Sequence, residues 1–132
     1  MQKNFIANQS IPALAGQTLD VLDPSDGQVF DQIPRSQAAD IDAAVQAARS
    51  AFNGPWGKLS AVERGRLLMK LSHSVSEHAD ELAALEQRDC GKPTKQAAAD
   101  AVALARYFEF YAGACDKLHG ETLPYQNGYS VL

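Results

Sequence analysis

Residues Glu86 to Lys95 read EQRDCGKPTK, and this stretch decides how the second half of the chain folds. As chemistry, it sets the Cys90 thiol between Arg88 and Lys92, two cations able to lower its pKa. As structure, it is one helix ending and another beginning. Gly91 supplies the left-handed residue that closes a helix, and Lys92-Pro93 suits a restart because proline is tolerated in a first turn. No histidine lies close in sequence to act as a base, so Cys90 reads as a helix-end cysteine and not as a nucleophile. Asp89 carries more interest. Carbonyls are free at a helix end, and a carboxylate beside them suits a cation that prefers oxygen. The competing reading is a carboxylate that bonds the exposed amides of the following helix start.

Upstream of this stretch the chain has two textures. Residues 1 to about 35 are strand and turn. NFIAN is β-prone, and TLDVLD places apolar Leu19, Val21 and, less cleanly, Leu22 among polar neighbours. DPSDG, Asp23 to Gly27, is a dense turn signal, with Pro24 presetting φ and Gly27 permitting φ > 0. QVFDQIP returns as a strand, which gives a β-hairpin closed by Pro34. From Ser36 onward the texture is helical. Ile41, Val45, Ala48 and Phe52 lie on one helix face, Ser36 is the expected N-cap, and Asn53-Gly54-Pro55 ends the helix. Ser60 to Glu63 forms a capping-box pattern that opens a helix with Leu67, Leu68, Leu71 and Val75 on its apolar face. A break falls near His78, and Leu82 and Leu85 extend the next helix to Gly91.

Downstream, Ala97, Ala101, Leu104, Phe108, Tyr111, Cys115 and Leu118 form a periodic stripe, widened by Ala98, Val102, Ala105 and Ala112. Its small residues allow another backbone to come close, and Gly120 is the expected terminator. ETLPYQNGYSVL then reads as extended chain with an Asn127-Gly128 turn. This divides the sequence into N-terminal strands and hairpin (residues 1–35), a helical part (36–120) and an extended segment leading toward a strand (121–132).

The bulk composition narrows the function classes. The chain has 132 residues, is 45% hydrophobic and 21% charged, and carries a formal net charge of −4, which suits an ordinary globular domain or part of one. No basic run marks a nucleic-acid partner, and no apolar stretch approaches the roughly 20 residues of a membrane span. MQKNFIANQS lacks the apolar core of a secretory signal, which points to a reducing cytoplasm where Cys90 and Cys115 stay free thiols. His73 and His78 do not share a helix face as metal ligands would, and neither a zinc-type cysteine spacing nor a phosphate-binding glycine loop occurs.

Four stretches together resemble the aldehyde dehydrogenase superfamily. DPSDGQVFDQIPRSQAADIDAAVQAARSAF is similar to the family's D/N-P-x-x-G turn followed by a D-[IV]-D-x-A-V-x-A-A-[RK]-x-A-F helix. WGKLSAVERGRLLMKL follows, with Trp56, Arg64 and Leu67-Leu68 in the family's places. LAALEQRDCGKP resembles L-x-x-L-E-x-x-D-x-G-K-P, and FYAGACDKLHGETLP resembles Y-A-G-x-[AC]-D-K-x-x-G-x-x-x-P. The resemblance runs in order from about Phe5 to the last residue. One departure is Asn8-Gln9, where the family's first hairpin often carries Asn-Gly; glutamine at positive φ is costly, so that turn is expected to differ.

The resemblance implies an α/β parent fold, of which this chain is the N-terminal portion: a β-hairpin region and four to five helices of the cofactor-binding domain. It implies an NAD- or NADP-dependent enzyme that oxidises an aldehyde to a carboxylic acid. In that family a cysteine thiolate attacks the aldehyde, hydride passes to the nicotinamide, and a glutamate-activated water releases the acid from the thioester. The catalytic cysteine, the glutamate and the cofactor-holding unit lie later in the family's sequence, so Cys90 is not that nucleophile and the 132-residue chain alone is expected to be inactive. The family also implies a monovalent cation, K or Na, held by main-chain oxygens matching Val21 and Leu22 and by the acid matching Asp89. It implies a substrate-tunnel border at Asp100, Ala103 and Tyr107, and a homo-oligomeric parent. The alternative is a self-contained helical interaction module that uses the Ala97–Leu118 stripe for association, without catalysis.

Overall fold

The computed structural model describes residues 1–123, 125–129 and 131. Two antiparallel hairpins come first. β1 (Asn4–Ile6) pairs with β2 (Gln9–Ile11), Asn4 opposite Ile11 and Ile6 opposite Gln9. The turn lies one residue earlier than the Asn8-Gln9 expectation. Ala7 (φ 52°) and Asn8 (φ 62°) take the two left-handed positions, so Gln9 is spared and enters the strand. β3 (Thr18–Leu22) pairs with β4 (Val29–Pro34), and Pro34 closes the ladder opposite Thr18. Their turn is fastened by Gly27 N–H donating to the Asp23 carbonyl at 2.7 Å and Asp23 N–H donating to the Gln28 carbonyl at 2.8 Å. The Asp23 carboxylate accepts from Ser25 N–H and Oγ–H, which lowers its pKa. Val21 faces Asp31 and Leu22 faces Val29, so Phe30 is the extra residue of a β-bulge.

Four helices follow: α1 (Ala38–Asn53), α2 (Ala61–Glu77), α3 (Ala79–Cys90) and α4 (Thr94–Ala114). Gln37, not Ser36, is the N-cap of α1. The Ser36 hydroxyl is taken up by Asn4 Oδ1 at 3.0 Å, and the buried Asp40 carboxylate accepts instead from Gln37 N–H and Leu14 N–H, both at 2.9 Å. This joins the start of α1 to the loop after β2. Ser60 caps α2 as expected, with Glu63 reaching back to Ser60 N–H at 2.8 Å. His78 divides α2 from α3, and Gly91 closes α3 at φ 68°. Pro93 sits at the N-cap of α4, its carbonyl accepting from Gln96 and Ala97 N–H.

The helical core is built from small residues. Ala83, Ala97 and Ala101 form its centre, with Ala79 and Leu82 beside them. Small side chains let α4 run close to α2 and α3. The buried Ser72 hydroxyl donates across to the Ala105 carbonyl at 2.8 Å, and Gly65 lies against the Ala112 carbonyl. Two expectations about α4 change. It ends at Ala114, before Gly120, and its buried line runs through Ala97, Ala101 and Ala105 rather than through Leu104, Tyr111 and Leu118, which is 91% exposed. On α1, Ile41, Val45 and Phe52 are likewise exposed. These apolar faces have no cover among the described residues. Beyond α4, Leu123 and Val131 form an antiparallel bridge around the Asn127-Gly128 turn, with Gly128 at φ 89°. Pro124, Ser130 and Leu132 lie outside the described residues, so the expected 121–132 extended segment is followed only in part.

Candidate functional site

The tip of the β3–β4 hairpin leans on the end of α3. The Arg88 guanidinium lies 4.4 Å from the centre of the Phe30 ring and 3.8 Å from the Asp23 carboxylate. Pro24 stands against Gly91, where an added Cβ would meet its ring at 3.1 Å. This docking brings the bulged strand to the α3 terminus and leaves a cavity of about 390 Å3, lined by Val21, Phe30, Ile33, Leu85 and three carboxylates, Asp31, Glu86 and Asp89. Val21 and Asp89, far apart in sequence, therefore line one cavity; Leu22 adjoins Val21 in the strand without lining it.

The three carboxylates differ in their partners. Asp31 accepts from the N-terminal ammonium at 2.7 Å, from Gln2 Nε2 at 2.9 Å and from Gln32 N–H at 2.7 Å. These bonds, the ammonium's first, hold its pKa down to about 2. Glu86 accepts from Lys92 Nζ, which also donates to Asp100 Oδ2 at 2.6 Å. Both carboxylates, Asp100 foremost, raise the Lys92 pKa. Asp89 is exposed and has no ion-pair or side-chain hydrogen-bond partner among the described residues, so it does not bond the amides at the start of α4. Among the described residues no group of three or more His, Cys, Asp or Glu is arranged to hold a metal. A cation here would rest on main-chain oxygen at the bulge together with the Asp89 carboxylate. That is an all-oxygen donor set and fits a hard ion.

The other expected site residues divide. Ala103 and Tyr107 line an open groove of about 490 Å3 on α4 with Arg106, Phe110 and Tyr111. Asp100 does not line it and is instead bound by Lys92. Lys92 is the residue that sequence reasoning left without a role. Its partners lie on two different helices, and no local pattern links them. Cys90 Sγ–H donates to the Glu86 carbonyl at 3.0 Å within its own helix, as a helix-end cysteine does.

Comparison with known proteins places this architecture. Residues 12–132 match the aldehyde dehydrogenase family. The chain is 44% identical over 129 residues to aldehyde dehydrogenase family 2 member B4, mitochondrial, of Arabidopsis thaliana, covering 96% of this chain and 24% of that protein. It is 41% identical over 131 residues to benzaldehyde dehydrogenase, mitochondrial, of Antirrhinum majus, covering 98% and 24%. A crystal structure from Burkholderia cenocepacia that carries the aldehyde dehydrogenase name provisionally superposes with a TM-score of 0.91 at 63% identity, over 97% of this chain and 27% of that one. The structure of PnpE in complex with nicotinamide adenine dinucleotide gives 0.89 at 39% identity, over 98% and 27%. The chain belongs to the aldehyde dehydrogenase family. It spans about a quarter of the length of the relatives it matches. Among the described residues no helix is long and apolar enough to cross a membrane.

Proposed function

We propose that this chain is the N-terminal portion of an NAD- or NADP-dependent aldehyde dehydrogenase that oxidises an aldehyde to a carboxylic acid through a cysteine thioester. The observation that carries the proposal is the superposition of 97% of the chain, at 63% identity, on a family member of which it covers 27%. Residues 1–35 and 36–120 are then the strand and helical parts of the cofactor-binding domain, and 121–132 leads into its next strand. The exposed apolar faces of α1 and α4 support this reading, since burial against further protein is what such surface favours. The groove at Ala103 and Tyr107 borders the substrate entrance, and Asp100, one turn before Ala103 on α4, belongs to the same border. The free thiols of Cys90 and Cys115 suit a reducing cytoplasm, and the parent is a homo-oligomer.

Within this reading Val21, Leu22 and Asp89 hold a monovalent cation. The β-bulge beside Val21 and the unpaired Asp89 carboxylate support the assignment. Such an ion would tie hairpin to helix without taking part in bond making. The experiment compares the full-length protein with the 132-residue chain for aldehyde-dependent NAD(P)H formation. Turnover is expected from the first alone. A full-length protein that reduces neither coenzyme with any aldehyde overturns the proposal. In the full-length protein, Asp89→Ala should abolish the stabilisation by potassium or sodium; stabilisation kept at the wild-type level removes the cation assignment.

A further inference from the structure

We propose that Lys92 is a positioning residue for the groove at Ala103 and Tyr107. By holding the Asp100 carboxylate toward the end of α3, it keeps an anionic charge off the groove's edge, so that the edge admits uncharged apolar aldehydes in preference to cationic ones. The inference rests on reading that groove as the border of the substrate entrance, and it concerns which aldehydes the border accepts.

Asp100 lies three residues before Ala103 and seven before Tyr107, so all three share one side of α4. The groove is apolar and aromatic, with Ala103, Tyr107, Phe110 and Tyr111 on its wall. Among the described residues Arg106 is the one charged group that lines it, and Glu109 pairs with it further along α4. A carboxylate turned toward this wall would attract a cation, and the aromatic faces would add to the attraction. Asp100 nevertheless does not line the groove. Its Oδ2 accepts from Lys92 Nζ at 2.6 Å, and Lys92 belongs to the link between α3 and α4.

The bridge fixes position rather than charge. Lys92 also donates to Glu86 near the end of α3, so one ammonium serves two carboxylates and the three groups together keep one net negative charge. Removing Lys92 with either carboxylate leaves that sum unchanged; it changes which carboxylate remains and whether it is held. Glu86 anchors the ammonium from α3, which gives the hold on Asp100 a fixed direction. The lysine side chain is 25% exposed and that of Asp100 44%, so a released Asp100 has open space in which to turn. A change of one rotamer is enough to redirect a side chain this short.

The test measures kcat and KM in the full-length protein for 4-tert-butylbenzaldehyde and its trimethylammonium isostere, 4-formyl-N,N,N-trimethylanilinium, which match in shape and differ in charge. Three proteins carry the same net charge at the bridge: wild type, Glu86→Gln/Lys92→Met with Asp100 free, and Lys92→Met/Asp100→Asn with Glu86 alone. Freeing Asp100 should shift the ratio of the two kcat/KM values toward the cation by about threefold to tenfold relative to wild type, the effect of one charge at a partly solvated edge. The shift should lie in KM, with kcat little changed. Lys92→Met/Asp100→Asn should keep the wild-type ratio, as should Lys92→Arg, which retains the charge and reach of the bridge. Loosened packing between α3 and α4 would move both aldehydes alike and leave the ratio where it was. Glu86→Gln alone gives Lys92 wholly to Asp100 and should not shift the ratio toward the cation, a readout that stands even if the Lys92→Met proteins fail to fold. An unmoved ratio in Glu86→Gln/Lys92→Met, an equal shift in Lys92→Met/Asp100→Asn, a shift toward the cation in Glu86→Gln, or a wild type that refuses 4-tert-butylbenzaldehyde altogether overturns the inference. Ala103→Asp sets a carboxylate in the groove independently of Lys92; if it too leaves the ratio at the wild-type value, the groove is no part of the substrate path and the reading beneath the inference falls.

Discussion

Replacing Gly65 by alanine should weaken the contact between α2 and α4, although alanine is the better helix former. A Cβ at Gly65 would stand 2.6 Å from the Ala112 carbonyl oxygen, when such contacts essentially never fall below 3.0 Å. The obstacle is backbone, so no side-chain rotation relieves it, and the helices must part by about 0.4 Å at that point. The Ser72–Ala105 hydrogen bond, 2.8 Å long and buried between the same helices, resists the separation. Overpacking of this kind costs about 1–3 kcal/mol, and the gain in helix propensity returns up to about 1 kcal/mol, for a net loss of about 1–2 kcal/mol. Gly113 supplies the control. It lies in the last turn of α4 with nothing within 4 Å of an added Cβ, so Gly113→Ala should stabilise by about 0.5 kcal/mol. Urea unfolding followed by circular dichroism reads both, with unchanged slopes as the check that only the folded state differs. A Gly65→Ala protein as stable as wild type, or two shifts of the same sign, refutes the close approach.

Three further outcomes follow from particular contacts. Ala7→Asn with Asn8→Gly puts Asn-Gly at the two left-handed positions of the first hairpin and should raise stability by about 1 kcal/mol; an unmoved urea midpoint counts against the turn geometry. Asp40→Ala removes the acceptor of the Gln37 and Leu14 amides and should lower the midpoint at neutral pH. The Asp40 pKa is depressed from 3.8 by the Gln37 and then the Leu14 hydrogen bond, so its stabilisation is full above that value and lost as pH falls through the lower folded value. The gap between wild type and Asp40→Ala should therefore close in acid, and a gap constant across a pH series contradicts the assignment. Arg88→Ala should loosen the hairpin from α3 by about 0.5–1 kcal/mol, the strength of an exposed cation–π contact; hydrogen exchange of the Asp23–Gly27 turn should speed up, and unchanged protection there argues against it.

The parts of the fold that were legible in the sequence are those with local causes. The Ser60–Glu63 box, the Gly91 stop and the Asp23–Gly27 turn each satisfy backbone groups within a few residues. Ser36 misled because a distant residue, Asn4, holds its hydroxyl, while Asp40 caps α1 and reaches Leu14. The α4 stripe misled for a related reason. Its period marks every apolar residue, but only the alanine line is small enough to approach α2 and α3, and Leu104, Tyr111 and Leu118 stay exposed. At the candidate site, Asp89 was visible as a helix-end carboxylate, and its place in one cavity with Val21 came from family resemblance, since a hairpin docking on a helix leaves no local trace. The Lys92 bridge to Glu86 and Asp100 depends on the angle between two helices and was not readable at all.

The central claim is that these helices were built to pack against protein beyond residue 132, and the purified 132-residue chain tests it most directly. Sedimentation velocity and fluorescence of an apolar-surface dye, measured together, should show association and strong dye binding, because Ile41, Val45, Phe52, Tyr107, Phe110 and Tyr111 stand exposed. A chain that is monomeric, silent to the dye and sharply melting would contradict the claim and favour a self-contained helical module.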